Sequence, residues 1–577
     1  MLFIRLFSFF SFFFVFYNLN FSSNVTPFLQ TFIYHSTNQT MKMSKMNKKR
    51  CQAVKSKSPL LKLSFSNIRG LRTNFGEVSH FLQSRSPDIF ALSETKLDSS
   101  VLSSEFTPDG YTFHRFDKAP CHGLALYAKT NLPLRRLKQS EDPRHEYLAF
   151  LAPLKNVTFL LFFLYRSPST DSEVFDVIST KIDDLLQRYP AAEVAVFGDF
   201  NVHNVDWLVH SRPTDSSGQA AEAFALSHNL SQIVTSPIRV PDRAGDTGYL
   251  LDLFLTSTPE NFSHKISSPL GSSDHCVVTV NHKQASSIPS VPFHRTVYRY
   301  SAADWCGFRT YLSDASSQKG LIITDDVHES AQNLEEVIQN GMKAYIPHRS
   351  YQVKPHSQPW FTPECAAAIC QRDHFFNQYK RDRTAGNLDQ YRTARRHCKE
   401  TLHEAKRRYS SHIQDSIANQ KLGSKDFWRI YNSVTNRNKS SIPALNRDDS
   451  NMMATTSAEK AELLSSQFSK NSSLDDSGRT PPTLPLRTSD TVPPPVITVK
   501  RVKRIISCLD SSKASGPDGI PVILFKKLSP ELSPVLAKLF KKCVSVSLFP
   551  PTWKVASVVP VPKKGCDFSQ PSAAIVP

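Results

Sequence analysis

Between Leu60 and Val280 the chain alternates short apolar or β-branched runs with polar, turn-rich pieces and a few helical windows. The runs are LKLSFSN, DIFALSE, GLALYAK, VTFLLFFLY, EVAVFGDFN, LLDLFLT and CVVTV. Runs of this length, bounded by Gly, Asp, Asn and Ser, read as strands, so residues 60–283 are predicted to form one sheet-rich α/β domain. What constrains the chain most is where the runs stop. In the first, Leu61, Leu63 and Phe65 share one face by strand alternation, which carries Asn67 to the same inner side at the strand's end. The second is a continuous apolar run, as in a buried central strand, and it ends on Glu94. A carboxylate there needs a cation or a donor.

In EVAVFGDFN an apolar strand enters a Gly turn, and the equal parity of Asp199 and Asn201 predicts that both face one pocket. Asp252 lies within LLDLFLT, where an unpaired ionised carboxylate costs several kcal/mol and requires a nearby partner. Ser273-Asp274-His275 stands directly before CVVTV. His275 paired to Asp252 would satisfy the buried charge and fix the imidazole tautomer. Each piece alone also fits ordinary turn and cap chemistry. Together, five strands that each deliver Asn, Asp, Glu or His at a similar position describe a catalytic rim. Phosphodiester hydrolysis asks for such a set: a metal to neutralise phosphoryl charge, a group to orient or deprotonate water, and donors for the transition-state oxygens.

Charge narrows the partner. Lys and Arg number 70 against 51 Asp and Glu, a formal charge of +19, which favours nucleic acid first and an acidic membrane surface second. The ten cysteines never take the paired spacing of a zinc site or a dense disulfide framework, so reduced thiols in the nucleus or cytoplasm are expected. Within residues 1–23, Leu6 to Tyr17 is almost wholly apolar; it resembles a signal-peptide core, implying secretion, or else is sequence translated ahead of the domain. It falls short of the length that spans a bilayer. Residues 24–59 form a basic linker with Lys42, Lys45, Lys48, Lys49 and Arg50, suited to a nuclear or nucleic-acid-binding arm.

Beyond a Ser/Pro boundary near Ser286, residues 284–360 read as a connector with helical periodicity from about Ala302. Residues 361–440 hold 16 Lys or Arg against 8 Asp or Glu, with Tyr379, Tyr391, Phe427, Trp428 and Tyr431 interleaved. Long basic amphipathic helices are expected there, with RNA or DNA contact. Residues 441–498 read as largely disordered linker around one helical candidate, Ala458 to Phe468. Residues 499–577 regain pattern: a helix before Ser511, the turn Ser515 to Gly519, a second helix and the strand-like VASVVPVP.

In order along the chain, Asn67-Ile68-Arg69-Gly70-Leu71, Pro87-Asp88-Ile89 with Ser93-Glu94-Thr95-Lys96-Leu97, Tyr165-Arg166-Ser167-Pro168, Gly198-Asp199-Phe200-Asn201, Leu251-Asp252-Leu253 and Ser273-Asp274-His275 resemble the motifs of the endonuclease domain of non-LTR retrotransposons. That family is similar to apurinic endonucleases and deoxyribonuclease I. The resemblance implies a four-layer α/β sandwich with its site at the sheet mouths, and a Mg2+-dependent DNA endonuclease, Mn2+ being the alternative ion. It implies that Glu94 binds the metal with help from Asn67 and that Asp199 orients or deprotonates water. Asn201 and Tyr165 would donate to transition-state oxygens, and His275, held by Asp252, would contact the scissile phosphate. Asp274 would assist the metal or the leaving oxygen, and the product would be a nick with a free 3′-hydroxyl. Ser167 departs from the family's usual Pro, and His122-Gly123-Leu124 from its common Gly-Gly pair.

Lys460 through Phe468, Gly516 to Pro521, and Trp553-Lys554 with Pro560 to Lys564 resemble the connector and the opening of that family's reverse transcriptase. The aromatic-x-Asp-Asp metal motif of its palm does not follow, so a truncated fragment without polymerase activity is expected. Two other functions compete with the nicking enzyme: a phosphodiesterase of the same fold acting on RNA or a lipid head group, and an inert basic nucleic-acid-binding relic. The positive charge favours a nucleic-acid substrate, and no membrane partner is expected.

Overall fold

The structure, a computed structural model, describes residues 60–118, 122–239, 248–286, 294–317, 324–352, 358–419, 427–428, 430–431, 442–447, 453–472, 495–511, 513, 515–562 and 570–575. The signal-like segment 1–23 and the basic linker 24–59 lie outside the described residues.

Strand β1 (Leu60–Asn67) turns through Gly70, at φ 112°, into helix α1 (Leu71–Arg85), which returns the chain to β2 (Ile89–Ser93) parallel to β1. β3 (Tyr111–Phe116), β4 (Leu124–Lys129), β5 (Arg135–Arg136), β6 (Tyr147–Pro153) and β7 (Thr158–Tyr165) follow, joined antiparallel to their neighbours. Helix α2 (Glu173–Arg188) then makes the second crossover, to β8 (Glu193–Asp199) parallel to β7. Helix α3 (Ser216–Ser227), β9 (Ser231–Gln232), β10 (Asp252–Thr256), β11 (Phe262–Ser267) and β12 (Val277–Ser286) complete the unit. A parallel pair needs such a crossover, which is why α1 and α2 stand where they do.

Two six-stranded sheets result, ordered β11-β12-β1-β2-β4-β3 and β5-β6-β7-β8-β10-β9. Their inner faces interdigitate: Phe65 of β1 lies 5.4 Å from Phe197 of β8 and 6.2 Å from Phe254 of β10, centroid to centroid. Outside the first sheet, Leu71, Phe75, Val78 and Leu82 of α1 pack on Phe90, Leu92 and Tyr127. Phe175, Ile178 and Ile182 of α2, with Phe224 of α3, cover the second. The layers run helix, sheet, sheet, helix, the expected four-layer α/β sandwich. At Gly198 (φ 134°) an added Cβ would lie 2.0 Å from the Leu164 carbonyl oxygen, so only glycine lets β8 close on β7 at the level of the next residue, Asp199.

The rest of the described chain is mainly helical. A hairpin of β13 (His294–Tyr298) and β14 (His348–Gln352) brackets α4 (Trp305–Ser317) and α5 (Val327–Tyr345). Helices α6 (Pro363–Arg381) and α7 (Ala385–Asn419) confirm the helical periodicity of the basic region, but their packing differs from that of a separate unit. Phe376 and Tyr391 join the sandwich core, His80 of α1 stacks on Phe361 at 5.0 Å, and Trp360 lies directly over Gly76. Arg372, 2% exposed, pairs with Glu77 of α1 and lies 2.9 Å from Asp373.

Helix α8 (Ser457–Ser472) occupies the helical candidate of the linker, opened by a capping box in which Glu459 accepts from Thr456 N at 2.9 Å and Thr456 accepts from Glu459 N at 3.2 Å. Helices α9 (Val499–Cys508), α10 (Val522–Lys527) and α11 (Ser529–Ser545) share one core with α4 and α5, built from Phe308, Leu334, Ile338, Val502, Phe525, Leu536 and Phe540. The connector and the C-terminal region therefore fold against each other across the intervening sequence. Among the described residues no helix is long and apolar enough to cross a membrane.

Candidate active site

Strand register gathers the chemistry at one edge of the sandwich. Asn67, last in β1, stands beside Ser93, last in β2, so Glu94 is the next residue out, turned by a left-handed φ of 50°. In the other sheet Tyr165, Asp199 and Asp252 form one cross-strand row, because β7 and β8 end where β10 begins. His275 precedes β12, whose Val278 pairs with Phe65 two residues before Asn67.

One nitrogen ties the two sheets together. Asn67 Nδ2 donates to Glu94 Oε1 at 2.7 Å and to Asp199 Oδ2 at 2.9 Å. The Tyr165 hydroxyl donates to the same Glu94 oxygen at 3.2 Å. Beside them Asp252, 1% exposed, has the partner its burial demands: His275 Nδ1 lies 2.9 Å from Asp252 Oδ2. Asp199, Asp252 and His275 each offer an atom within 4.8 Å of the others.

The electrostatics assign different states to these groups. Burial pushes the Asp199 carboxyl up, as does the Asp252 charge, against the pull of His275 and the Asn67 hydrogen bond. Burial alone would lower His275, but the Asp252 charge and hydrogen bond, then Asp199 and Asp274, raise it to about 10, so it is a cation at neutral pH. Burial first, then Glu94 and Asp199, drive the Tyr165 phenol upward and keep it a hydrogen-bond donor.

A divalent cation fits this donor set. Two carboxylates converge on one amide nitrogen, and Asp199 Oδ1 and Asp252 Oδ1 are buried without a hydrogen-bond partner. Oxygen ligands of this kind suit a hard ion. Protonated His275 has no lone pair to offer; Glu94 and Asp199 are the carboxylates that share the Asn67 amide, while Asp252 is turned through Oδ2 to His275. Asn67 serves them as a bridge, its own Oδ1 accepting from Arg69 N at 3.1 Å.

Two expected residues are placed differently. β8 ends at Asp199, Asn201 takes φ 49°, and the alternation behind the parity argument stops there. The Asn201 amide donates to the Arg166 carbonyl at 2.8 Å and is not aimed into the pocket by the strand. Asp274 has both oxygens engaged, with Arg69 Nη1 at 3.1 Å and Arg239 Nε at 2.7 Å. A carboxylate clamped by two guanidiniums anchors cations at the rim, and the metal role expected of Asp274 does not match this geometry.

Other residues at the site went unassigned in the sequence. Arg166, 5% exposed, donates to the carbonyls of Asn201 at 2.8 Å, Thr170 at 2.8 Å and Asp171 at 3.1 Å, bracing the loop beyond Asp199. His122 lies 3.0 Å from Glu146 and sets its ring edge against Tyr165, at 5.7 Å between centroids. The chain's departure from a Gly-Gly pair at this position thus places an imidazole beside Tyr165. Glu146, buried ahead of the apolar run YLAFLAP, was the sequence signal for that contact.

Residues 159–279, which carry Tyr165, Asp199, Asp252 and His275, match the family described as endonuclease-reverse transcriptase. The match runs from β7 into β12. Solved structures similar to the chain include the 3′ phosphatase NExo from Neisseria bound to a product DNA hairpin, at 16% identity and TM-score 0.32, over 38% of this chain and 99% of that one. The endonuclease domain of TRAS1, a telomere-specific non-LTR retrotransposon, is 14% identical over 38% of this chain and 98% of its own, TM-score 0.32. The AP endonuclease LMAP from Leishmania major is 16% identical over 38% and 87%, TM-score 0.33. Within the sandwich, Asn67, Glu94, Tyr165, Asp199, Asp252 and His275 meet at one edge, while Asn201 and Asp274 bond to the loops around it.

Proposed function

We propose that residues 60–286 hydrolyse phosphodiester bonds of DNA with a divalent cation, Mg2+ or alternatively Mn2+, and leave a nick with a free 3′-hydroxyl. The observation that carries this reading is the Asp199 carboxylate held between the Asn67 amide and the Asp252–His275 pair. A bound cation would be held by Glu94 and Asp199 and would supply neutralisation of the phosphoryl charge. Asp199 orients water and takes its proton as the new P–O bond forms. Protonated His275, fixed through Nδ1 to Asp252, presents its other N–H to a non-bridging phosphate oxygen, where negative charge grows. The Tyr165 hydroxyl is a second donor. The P–O3′ bond breaks, the leaving oxygen takes a proton from solvent water to end as the 3′-hydroxyl, and Asp199 returns to solvent the proton it received.

The excess of 70 Lys and Arg over 51 Asp and Glu supports nucleic acid as the substrate over a lipid head group. Conversion of supercoiled plasmid to nicked circle by the whole chain tests the proposal. Nicking with Mg2+ that disappears in EDTA, in Asp199→Ala and in His275→Ala is the expected result. A folded chain that leaves the plasmid supercoiled would overturn it.

A further inference from the structure

Helices α6 and α7 are fixed to the sandwich by the buried Arg372–Glu77 pair, and α7 reaches the catalytic loop itself. Arg395 Nη2 donates to the Ser273 carbonyl at 2.6 Å, two residues before His275. The inner face of α7 is apolar, with Tyr391, Ala394, Cys398 and Leu402 buried. At 100° per residue, Arg392, Arg395, Lys399, His403 and Lys406 fall along the adjoining flank. Lys399, His403 and Lys406 are exposed. Of the carboxylates of α7, Glu404 and Asp415 fall about 140° or more from the middle of that stripe by the same count, Glu400 about 100° from it, and Asp389 precedes it. Glu404 also takes up Arg407 at 2.7 Å and Arg408 at 2.8 Å, so those two cations are answered on their own helix.

We infer that this flank of α7 is a track for the phosphate backbone of duplex DNA, continuing from the catalytic edge beyond the bond that is cut. It spans about 21 Å from residue 392 to 406 at 1.5 Å per residue. Duplex DNA carries one charge per roughly 1.7 Å of axis, so a straight row of cations of that length meets several phosphates. Docking of the hairpin makes the row rigid, which fixes where the duplex lies relative to His275, whereas a tethered basic arm would add affinity without register. The inference rests on the nuclease reading for the direction of the substrate. Its binding chemistry does not depend on cleavage.

The test uses the whole chain in EDTA, with a linear duplex as probe in a mobility-shift titration at several salt concentrations. Lys399→Glu combined with Lys406→Glu, both exposed and away from the Ser273 carbonyl, is compared with Lys503→Glu combined with Arg504→Glu on α9, which makes the same charge change elsewhere. The α7 pair is expected to weaken binding about ten-fold or more and to make the salt dependence shallower by about 2 in log–log slope, one for each phosphate that is no longer neutralised. The α9 pair is expected to leave both near wild type. Equal effects from the two pairs, or none from the α7 pair, would overturn the track. So would single-stranded RNA displacing the probe better than duplex. A wild-type chain that binds with this salt dependence yet never nicks with Mg2+ would remove the nuclease reading and leave the track standing.

Discussion

Asp199 and Asp252 face each other across the β8–β10 ladder, yet one is bridged by the Asn67 amide and the other by the His275 imidazole. In the proposed reaction the first meets the attacking water and the second holds the protonated imidazole. Their division of labour can be tested residue by residue.

Asp252→Asn removes the charge that sustains protonated His275. The wild-type imidazole rises to about 10, so its N–H is present at neutral pH and is lost as pH passes that value. In the variant the alkaline limb of the pH–rate profile is expected to move to lower pH, and the rate at neutral pH to fall on the order of 100-fold or more. Single-turnover nicking across pH measures both. An unmoved alkaline limb would show that His275 is not the group being titrated.

Asp199→Asn is expected to abolish nicking while raising the melting temperature of the metal-free chain at pH 8. The folded-state carboxyl is pushed from 3.8 up to about 7 by burial and by Asp252. A raised acid binds a proton that the unfolded chain gives up, so its ionisation lowers stability between those two values and the loss persists above them. The gain in the variant should therefore vanish near pH 4. Calorimetry in EDTA at both pH values decides it.

Glu77→Gln leaves Arg372 buried with Asp373 as its one acidic partner among the described residues. Removing one member of a buried pair costs about 3 kcal/mol, read as a drop in the denaturant midpoint. A shift no larger than that of a surface substitution would mean that the hairpin is held by its apolar packing alone.

Gly198→Ala would set a Cβ 2.0 Å from the Leu164 carbonyl oxygen at φ 134°, and roughly 3 kcal/mol or more of destabilisation is expected. Gly386→Ala meets nothing within 4 Å at the start of α7 and is expected to be neutral or to stabilise by about 0.5 kcal/mol. Thermal melts of the two variants give the comparison.

The strand ends were readable because an apolar run that stops on Asn67, Glu94 or Asp199 states both its fold and its exception. The Asp252–His275 pair followed from burial alone, since a carboxylate inside LLDLFLT had to find a partner. Asn201 was misplaced because alternation holds only while the chain stays in the strand, and the strand ends two residues earlier. The ion pairs of Asp274 were not legible because Arg69 and Arg239 are far from it in sequence. The docking of α6 was hidden for a related reason: Arg372 reads as one more solvated cation until Glu77 is seen beneath it.

The bridge made by Asn67 has a mechanical consequence. Asn67 and Glu94 ride on one sheet, Asp199, Tyr165 and Asp252 on the other, and the sheets are joined by an apolar side-chain seam that includes Phe65, Phe197 and Phe254. Any slip along that seam shears the pocket before it unfolds anything. The aromatic interior, far from the reacting atoms, therefore acts as the gauge that sets their spacing, and the first symptom of a loosened interior should be a slower enzyme rather than a melted one.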